Sequence, residues 1–378
     1  MDERIRFIAA VQEDPRGNFT RLCERFGISR AKGYKWLARY EEHGPSGLVD
    51  KPPRARRCPH KTEEAIADLV VAERKAHPHD GPKKLRTRLL LRGESRIPAA
   101  STIGDILAER GLIRPRRCRL RVPPSPNQLD PCVEPNDVWC IDFKGHFLLG
   151  DKHRCDPLTI TDAASRYLLK CEAVPDTGEA AVRAELERTF HEFGLPKKIR
   201  SDNGPPFASK ALGGLSRLSV WWIQLGILPE RIEPGKPQQN GRHERMHKTL
   251  KQHTASPPSA SMPEQQRAFD RFRRDYNNER PHEALGQTPP ASHYEPSSRA
   301  MPERPREPEY GEDLVVRRVN KAGQFCFKAT MLLAGAPLVH QPVALRQTDE
   351  DEWELFYGPL CIGYVLTRKE GVRIEPLR

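Results

Sequence analysis

Proline placement constrains this chain more than any other feature. Of its 36 prolines, runs stand at Pro52-Pro53, at Pro123-Pro124-Ser125-Pro126 and through the stretch from Pro289 to Pro308. A residue with a fixed φ and no N–H ends helices and central strands, so no single regular core can run through those points. The 378 residues therefore divide into blocks: 1–50, a basic linker at 51–61, 62–121, 128–292, a Pro-rich linker at 293–310, and 311–378.

The blocks differ in hydrophobic period. In the first, Thr20 to Phe26 predicts a short helix and Gly27 a turn. Ser29 then caps a second helix, Arg30 to Glu42, with Tyr34, Leu37 and Ala38 inward. Arg30, Lys32, Lys35 and Arg39 fall outside that apolar set, as on a recognition helix facing a major groove. The linker that follows carries Arg54, Arg56 and Arg57, an extended cationic segment suited to a phosphate backbone. The block 62–121 repeats the helix-turn-helix theme. Thr62 caps a helix with Ile66, Leu69 and Val70 inward, and Gly81-Pro82 opens one with Leu85 and Leu89. Ser101 caps a third with Ile103, Ile106 and Leu107, stopped by Gly111. Arg114, Arg116, Arg117, Arg119 and Arg121 close the block.

Residues 136–195 read as short apolar strands, Val138–Phe143, Leu158–Thr161 and Tyr167–Val174, then a helix, Gly178–Phe193, and a strand, Lys198–Ser201. That order predicts an α/β unit, a mixed sheet with flanking helices. Residues 262–278 predict an amphipathic helix with Phe269, Phe272 and Tyr276 on one side. From Leu314 onward apolar and polar residues alternate, which predicts a small all-β module, barrel or sheet.

Charge locates a partner. Residues 1–121 hold 28 Lys and Arg against 16 Asp and Glu, which accounts for the whole net charge of +12. A basic arm on a neutral body predicts a polyanion-binding segment. No run of about 18 apolar residues exists, so no membrane span is expected. The start, Met1-Asp2-Glu3-Arg4, carries no apolar run, and the nine cysteines never form C-x-x-C. A cytoplasmic, nucleoid-associated protein with reduced thiols is the expectation.

Three acids draw notice. Asp142 interrupts the apolar run Trp139-Cys140-Ile141-Asp142-Phe143, where an uncompensated carboxylate costs roughly several kcal/mol unless it pairs or binds metal. Asp202 follows the strand Lys198–Ser201, and Asp-Asn-Gly is also plain turn chemistry. Glu244 lies early on a helix signalled by Pro237-Gln238-Gln239-Asn240-Gly241, with Asn240 as a cap, where acids are common for dipole reasons alone. Acids on one strand, after a neighbouring strand and on a packing helix can converge to hold two Mg²⁺ or Mn²⁺ ions. Lys248 and Lys251 follow on the same helical face, placed for phosphates.

The ordered motifs Trp139-Cys140-Ile141-Asp142-Phe143-Lys144-Gly145, Leu158-Thr159-Ile160-Thr161-Asp162-Ala163-Ala164-Ser165-Arg166-Tyr167, Arg200-Ser201-Asp202-Asn203-Gly204-Pro205-Pro206-Phe207, Pro237-Gln238-Gln239-Asn240-Gly241-Arg242-His243-Glu244-Arg245 and Tyr276-Asn277-Asn278-Glu279-Arg280-Pro281-His282-Glu283-Ala284-Leu285 carry a resemblance. The chain resembles bacterial insertion-sequence transposases with a retroviral-integrase-like catalytic core, nearest to the insertion sequence 481 family. The resemblance implies an RNase H-like core and an acid triad at Asp142, Asp202 and Glu244. It also implies a DNA-contacting base at Lys251. The expected activity is metal-dependent cleavage and strand transfer on double-stranded DNA, element ends and target alike, by a homo-oligomer. Two departures stand out: Asp80 replaces an aromatic usual in relatives, and the His/Cys zinc module of retroviral integrases is missing. Asp162 reads as a turn-shaping acid.

Two alternatives use the same residues. His243-Glu244-Arg245-Met246-His247 spells H-E-x-x-H, the helical zinc-peptidase pattern. A DNA-binding regulator without catalysis would need only the basic arm.

Overall fold

The structure is a computed structural model describing residues 2–15, 17–50, 61–113, 129, 131–174, 176–233, 236–368 and 371–376. Contacts divide the chain into two compact units, Met1–Glu63 and Glu64–Arg378.

The first unit holds helices α1 (Asp2–Glu13), α2 (Phe19–Arg25) and α3 (Arg30–His43). Phe7, Ile8, Cys23, Trp36 and Leu48 form its core. Ser29 caps α3 as expected, its hydroxyl accepting from the Lys32 N–H. The start of α2 differs from expectation: Asn18 caps it by accepting from the Thr20 and Arg21 N–H groups. The inward face of α3 also differs. Gly33 and Trp36 are buried, whereas Tyr34 is 51% exposed and Ala38 lies outside. The reason is close packing at Gly33, where an added Cβ would meet Cys23 Sγ at 2.8 Å. That approach sets the rotation of α3 and turns Tyr34 outward to stack on Phe19.

The second unit opens with α4 (Glu64–Ala76), α5 (Pro82–Leu91) and α6 (Ala100–Glu109). Val70, Leu85, Leu89, Ile103 and Leu107 pack together at its centre. Gly81 precedes α5 and Gly111 turns the chain after α6 at φ 69°. Ala99, not Ser101, stands at the cap of α6 and makes no side-chain cap bond. Asp80 does not disturb this packing, because it is buried in an ion cluster. Its carboxylate meets Arg88 Nε at 2.9 Å and Arg280 Nη1 at 2.9 Å. Arg88 also reaches Asp275 Oδ1 at 3.2 Å. Burial alone would raise the Asp80 pKa, yet the Arg280 and Arg88 guanidiniums hold it below the ordinary value. The cluster joins α5 to the segment around residues 275–280.

That segment belongs to a mixed sheet with helices on its faces. The strands are β1 (Val138–Phe143), β2 (Phe147–Leu148), β3 (Arg154–Asp162), β4 (Leu168–Val174), β5 (Lys198–Ser201) and β6 (Leu228–Arg231). The helices are α7 (Glu179–Phe193), α8 (Arg217–Gln224), α9 (Gly241–Thr254) and α10 (Met262–Asn278). β3 pairs antiparallel with β4 and β1, β1 pairs parallel with β5, and β5 pairs parallel with β6. Trp139, Ile141, Leu186, Phe190, Leu218 and Trp222 fill the core on the α7 and α8 side. On the other face Met246 and Leu250 of α9 and Phe269 and Phe272 of α10 pack together. This is the expected α/β core between helical modules and an all-β end.

The proline-rich stretch is laced to the core. Tyr294 stacks on Tyr167 at 4.4 Å, the Ser297 N–H donates to the Phe193 carbonyl, and the Arg306 N–H donates to that of Gln224. Beyond it, β7 (Val315–Arg318), β8 (Gln324–Phe327), β9 (Thr330–Leu333), β10 (Pro342–Asp349), β11 (Glu352–Tyr357), β12 (Leu360–Arg368) and β13 (Gly371–Glu375) form a five-stranded antiparallel sheet and a β8–β9 hairpin. Leu215, Val220 and Ile223, on and beside α8, belong to the core of this β module.

Candidate active site

Parallel strands set side by side open their carboxyl ends on one edge, the usual place for a site in an α/β sheet. β1 and β5 are such a pair, with Cys140 opposite Arg200. Asp142 is the next-to-last residue of β1, and Asp202 follows the last residue of β5. Glu244 stands in the first turn of α9. That helix buries His243, Met246, His247 and Leu250 against the sheet and leaves Glu244, Lys248 and Lys251 exposed. Asn240 is at its cap position but makes no side-chain cap bond.

Burial, then the charges of Asp202 and Glu244, push the Asp142 carboxyl up to about 7, against the opposing pull of the Phe143 N–H and Lys144. The three acids thus share one electrostatic neighbourhood. Asp142, Lys144, Glu244, His247, Lys248 and Lys251 line a cleft of about 610 Å³. Asp202 does not line that cleft; its Oδ1 accepts from the Gly204 N–H at 3.2 Å. Asp162 is elsewhere, accepting from the Ser165 N–H and hydroxyl and from the Asn136 N–H, which ties its turn.

The H-E-x-x-H pattern does not form a peptidase site. His243 Nε2 lies 2.8 Å from Thr159 Oγ1 and its Nδ1 2.7 Å from Thr161 Oγ1, so both nitrogens are engaged by β3. His247 Nε2 lies 2.7 Å from the same Thr159 hydroxyl. Burial lowers His243 to about 3 and His247 to about 2. Glu244 lines the Asp142 cleft together with His247, whereas His243 does not reach that cleft, so the two rings and Glu244 do not frame one zinc site.

Among the expected DNA-contacting residues, Arg30, Lys32 and Lys35 are exposed on α3, and Lys32 Nζ lies 5.3 Å from the Trp36 ring centre. Arg39 donates to the Val49 carbonyl at 2.7 Å and lies 3.9 Å from Asp50. Arg54, Arg56, Arg57, Arg114, Arg116, Arg117 and Arg119 lie outside the described residues. Lys144 was not among the expected site residues, and His247 was expected only as a ligand in the zinc-peptidase alternative; both line the Asp142 cleft. Lys144 was visible as the base two residues after Asp142; the orientation of His247 toward Asp142 had no sequence signal.

A mixed sheet with its site at the ends of adjacent parallel strands, matched by an integrase core domain, places the chain in the integrase class of polynucleotidyl transferases. The integrase core domain family matches residues 133–237 and 225–290, a helix-turn-helix domain matches 3–57, and a homeodomain-like domain matches 32–107. The chain is 30% identical over 288 residues to an uncharacterized 31.7 kDa protein of insertion element IS407 from Burkholderia multivorans, covering 75% of this chain and 93% of that protein. An uncharacterized 39.2 kDa protein of insertion element IS476 from Xanthomonas euvesicatoria is 29% identical over 252 residues, 65% of this chain and 69% of its own. The integrase catalytic core domain of HTLV-2, solved in complex with magnesium, is 16% identical at a TM-score of 0.34, covering 43% of this chain and 97% of that one. The chain belongs to the family of insertion-element proteins built on an integrase core domain. It is a DNA transposase of the integrase type.

Proposed function

We propose that Asp142, Asp202 and Glu244 are the catalytic acids, and that within its class the chain falls in the insertion sequence 481 family. The observation that carries the reading is the placement of Asp142 and Asp202 at the ends of the paired parallel strands β1 and β5, with Glu244 of α9 lining the same cleft as Asp142. Carboxylates are hard oxygen donors, a set that fits Mg²⁺ or Mn²⁺. Two such ions, when bound, supply Lewis-acid activation of the attacking oxygen and neutralise charge on the phosphate. Asp142 and Asp202, at the strand ends, would hold them, with Glu244 of α9 completing the set. Lys144, Lys248 and Lys251 bind the phosphates of the DNA laid across the cleft and offset charge that builds during displacement. Water attacks first at phosphorus and breaks the P–O3′ bond, leaving a 3′-hydroxyl and a 5′-phosphate; that hydroxyl then attacks a target phosphodiester in line, forming a new P–O bond and displacing the target strand's own 3′-hydroxyl.

The parts divide as 1–50 and 62–121 for reading terminal repeats, 128–292 for chemistry and 311–378 as a β module, with basic segments at 51–61 and after 113 gripping backbone. Arg30, Lys32, Lys35 and Arg39 serve the first reader, and two subunits or more handle two ends together. Asp142→Asn should abolish cleavage and joining of end oligonucleotides in Mg²⁺ while binding to those oligonucleotides stays within a few-fold. Joining at the native rate by that variant would end the assignment.

A further inference from the structure

Hydrogen-bond counting at Thr159 fixes where the protons sit on the two buried histidines. A hydroxyl has one proton to give and two lone pairs to receive. Thr159 Oγ1 has three partners: the Asp142 carbonyl at 3.1 Å, His243 Nε2 at 2.8 Å and His247 Nε2 at 2.7 Å. A carbonyl can only accept, so the Thr159 proton goes to Asp142. Both histidines must then donate to Thr159 through Nε2–H. His243 is left with a bare Nδ1, which accepts from the Thr161 hydroxyl at 2.7 Å. His247 is likewise left with a bare Nδ1, and this one faces Asp142 Oδ2 at 3.8 Å.

A nitrogen lone pair opposed to a carboxylate oxygen is repulsive unless something positive lies between them. The separation is too long for a direct hydrogen bond. It is well suited to a shared cation, because two donors each about 2.1 Å from one ion stand at most about 4.2 Å apart. Asp142, His243 and His247 each bring a possible ligand atom within 4.8 Å of the others. In that trio only His247 Nδ1 is a nitrogen without a hydroxyl partner. The imidazole is held in place by Thr159 and by its burial at 5% exposure, so it meets an ion already oriented.

We propose that His247 Nδ1 is a nitrogen ligand to the ion held by Asp142, which biases this transposase toward Mn²⁺ and other imidazole-accepting metals over Mg²⁺. The inference rests on the acid-triad reading and adds a ligand to it. Oxygen-only sites suit Mg²⁺, whereas imidazole suits the later divalent ions. Thr159 acts as the positioning residue: its single proton, spent on the β1 backbone, dictates the tautomer of the ring.

The test uses the full chain loaded with Mn²⁺ and pulsed electron paramagnetic resonance, which reads nitrogen coupled to the metal without any need for turnover. The native chain should show ¹⁴N modulation from one imidazole, and His247→Gln, which can still donate to Thr159, should lose it. Mn²⁺ affinity should fall about tenfold or more in that variant, while Mg²⁺ affinity moves less than about twofold. A native chain whose Asp142-dependent Mn²⁺ shows no nitrogen coupling overturns the proposal, whether or not the variant folds. So does coupling that persists unchanged in folded His247→Gln. Asp142→Asn separates the two ideas: Mn²⁺ bound there as tightly as in the native chain would defeat the triad itself.

Discussion

Asp142 carries a burden that the metal-free chain should reveal. Its pKa, pushed up to about 7 by burial and by Asp202 and Glu244, means the folded state holds a proton that the unfolded state releases near pH 4. Between those values the native chain binds more protons, so its stability falls as pH rises through that window. Asp142→Asn should therefore unfold at a higher temperature than the native chain at pH 8 in chelator, by roughly 2–4 °C for each kcal/mol relieved. At pH 5 the difference should largely vanish, and Mg²⁺ should stabilise the native chain alone. An Asp142→Asn chain less stable at pH 8 would contradict the charge crowding. Asp142 stood out as a candidate because a carboxylate breaks an apolar strand, and Asp202 because it follows β5, the strand paired with β1. Tyr34 misled for a related reason: its aromatic ring suggested the core. The Gly33 contact that turns it outward is a fact of helix pairing that no single-helix pattern contains.

Elements with an unbroken apolar run or one apolar face declared themselves. β1 and β5 fall where the apolar runs fall, and α10 spans Met262–Asn278 as its Phe269, Phe272 and Tyr276 stripe requires. Elements that break the two-faced pattern stayed hidden. α1 buries only Phe7 and Ile8 among charged neighbours. α8 is buried almost all round and so has no period to read. β6 (Leu-Pro-Glu-Arg) is a half-exposed edge strand without alternation. The Asp80 cluster was equally hidden, because its partners Asp275 and Arg280 lie some 200 residues away. Removing one member of a buried ion group strands the others, at a cost of about 3–5 kcal/mol. Arg88→Met should lower the denaturant midpoint accordingly and speed amide exchange in α4–α6 more than in the β module. Uniform exchange with an unchanged midpoint would show that the cluster does not hold the helices to α10.

At the scale of the molecule, the first unit owns a core of its own in Phe7, Ile8, Cys23, Trp36 and Leu48. Trp36 is its one tryptophan. A fragment of residues 1–63 should show a cooperative helical melt reported by Trp36 fluorescence; a featureless, non-cooperative melt would mean that this core needs the rest of the chain. Since the whole excess charge sits in residues 1–121, DNA binding by the full chain should weaken linearly on a log–log salt plot. A flat plot would remove phosphate gripping from the account. The succession from helices to mixed sheet to antiparallel strands was legible because changes of hydrophobic period mark it. The lacing of the proline-rich stretch onto the core was not, because backbone hydrogen bonds such as Ser297 to Phe193 leave no trace in side-chain pattern.

Helix α8 serves two interiors at once, giving Leu218 and Trp222 to the catalytic sheet and Val220 and Ile223 to the β module. Shortening the protein to end near residue 310 would strip one side of that helix bare, leaving an oily stripe on the enzyme's flank. Such a truncate should clump or self-pair, visible as raised light scattering, while Val220→Ser with Ile223→Ser should restore its solubility. The tail is thus masonry of the catalytic body, sharing one helix's two faces with it.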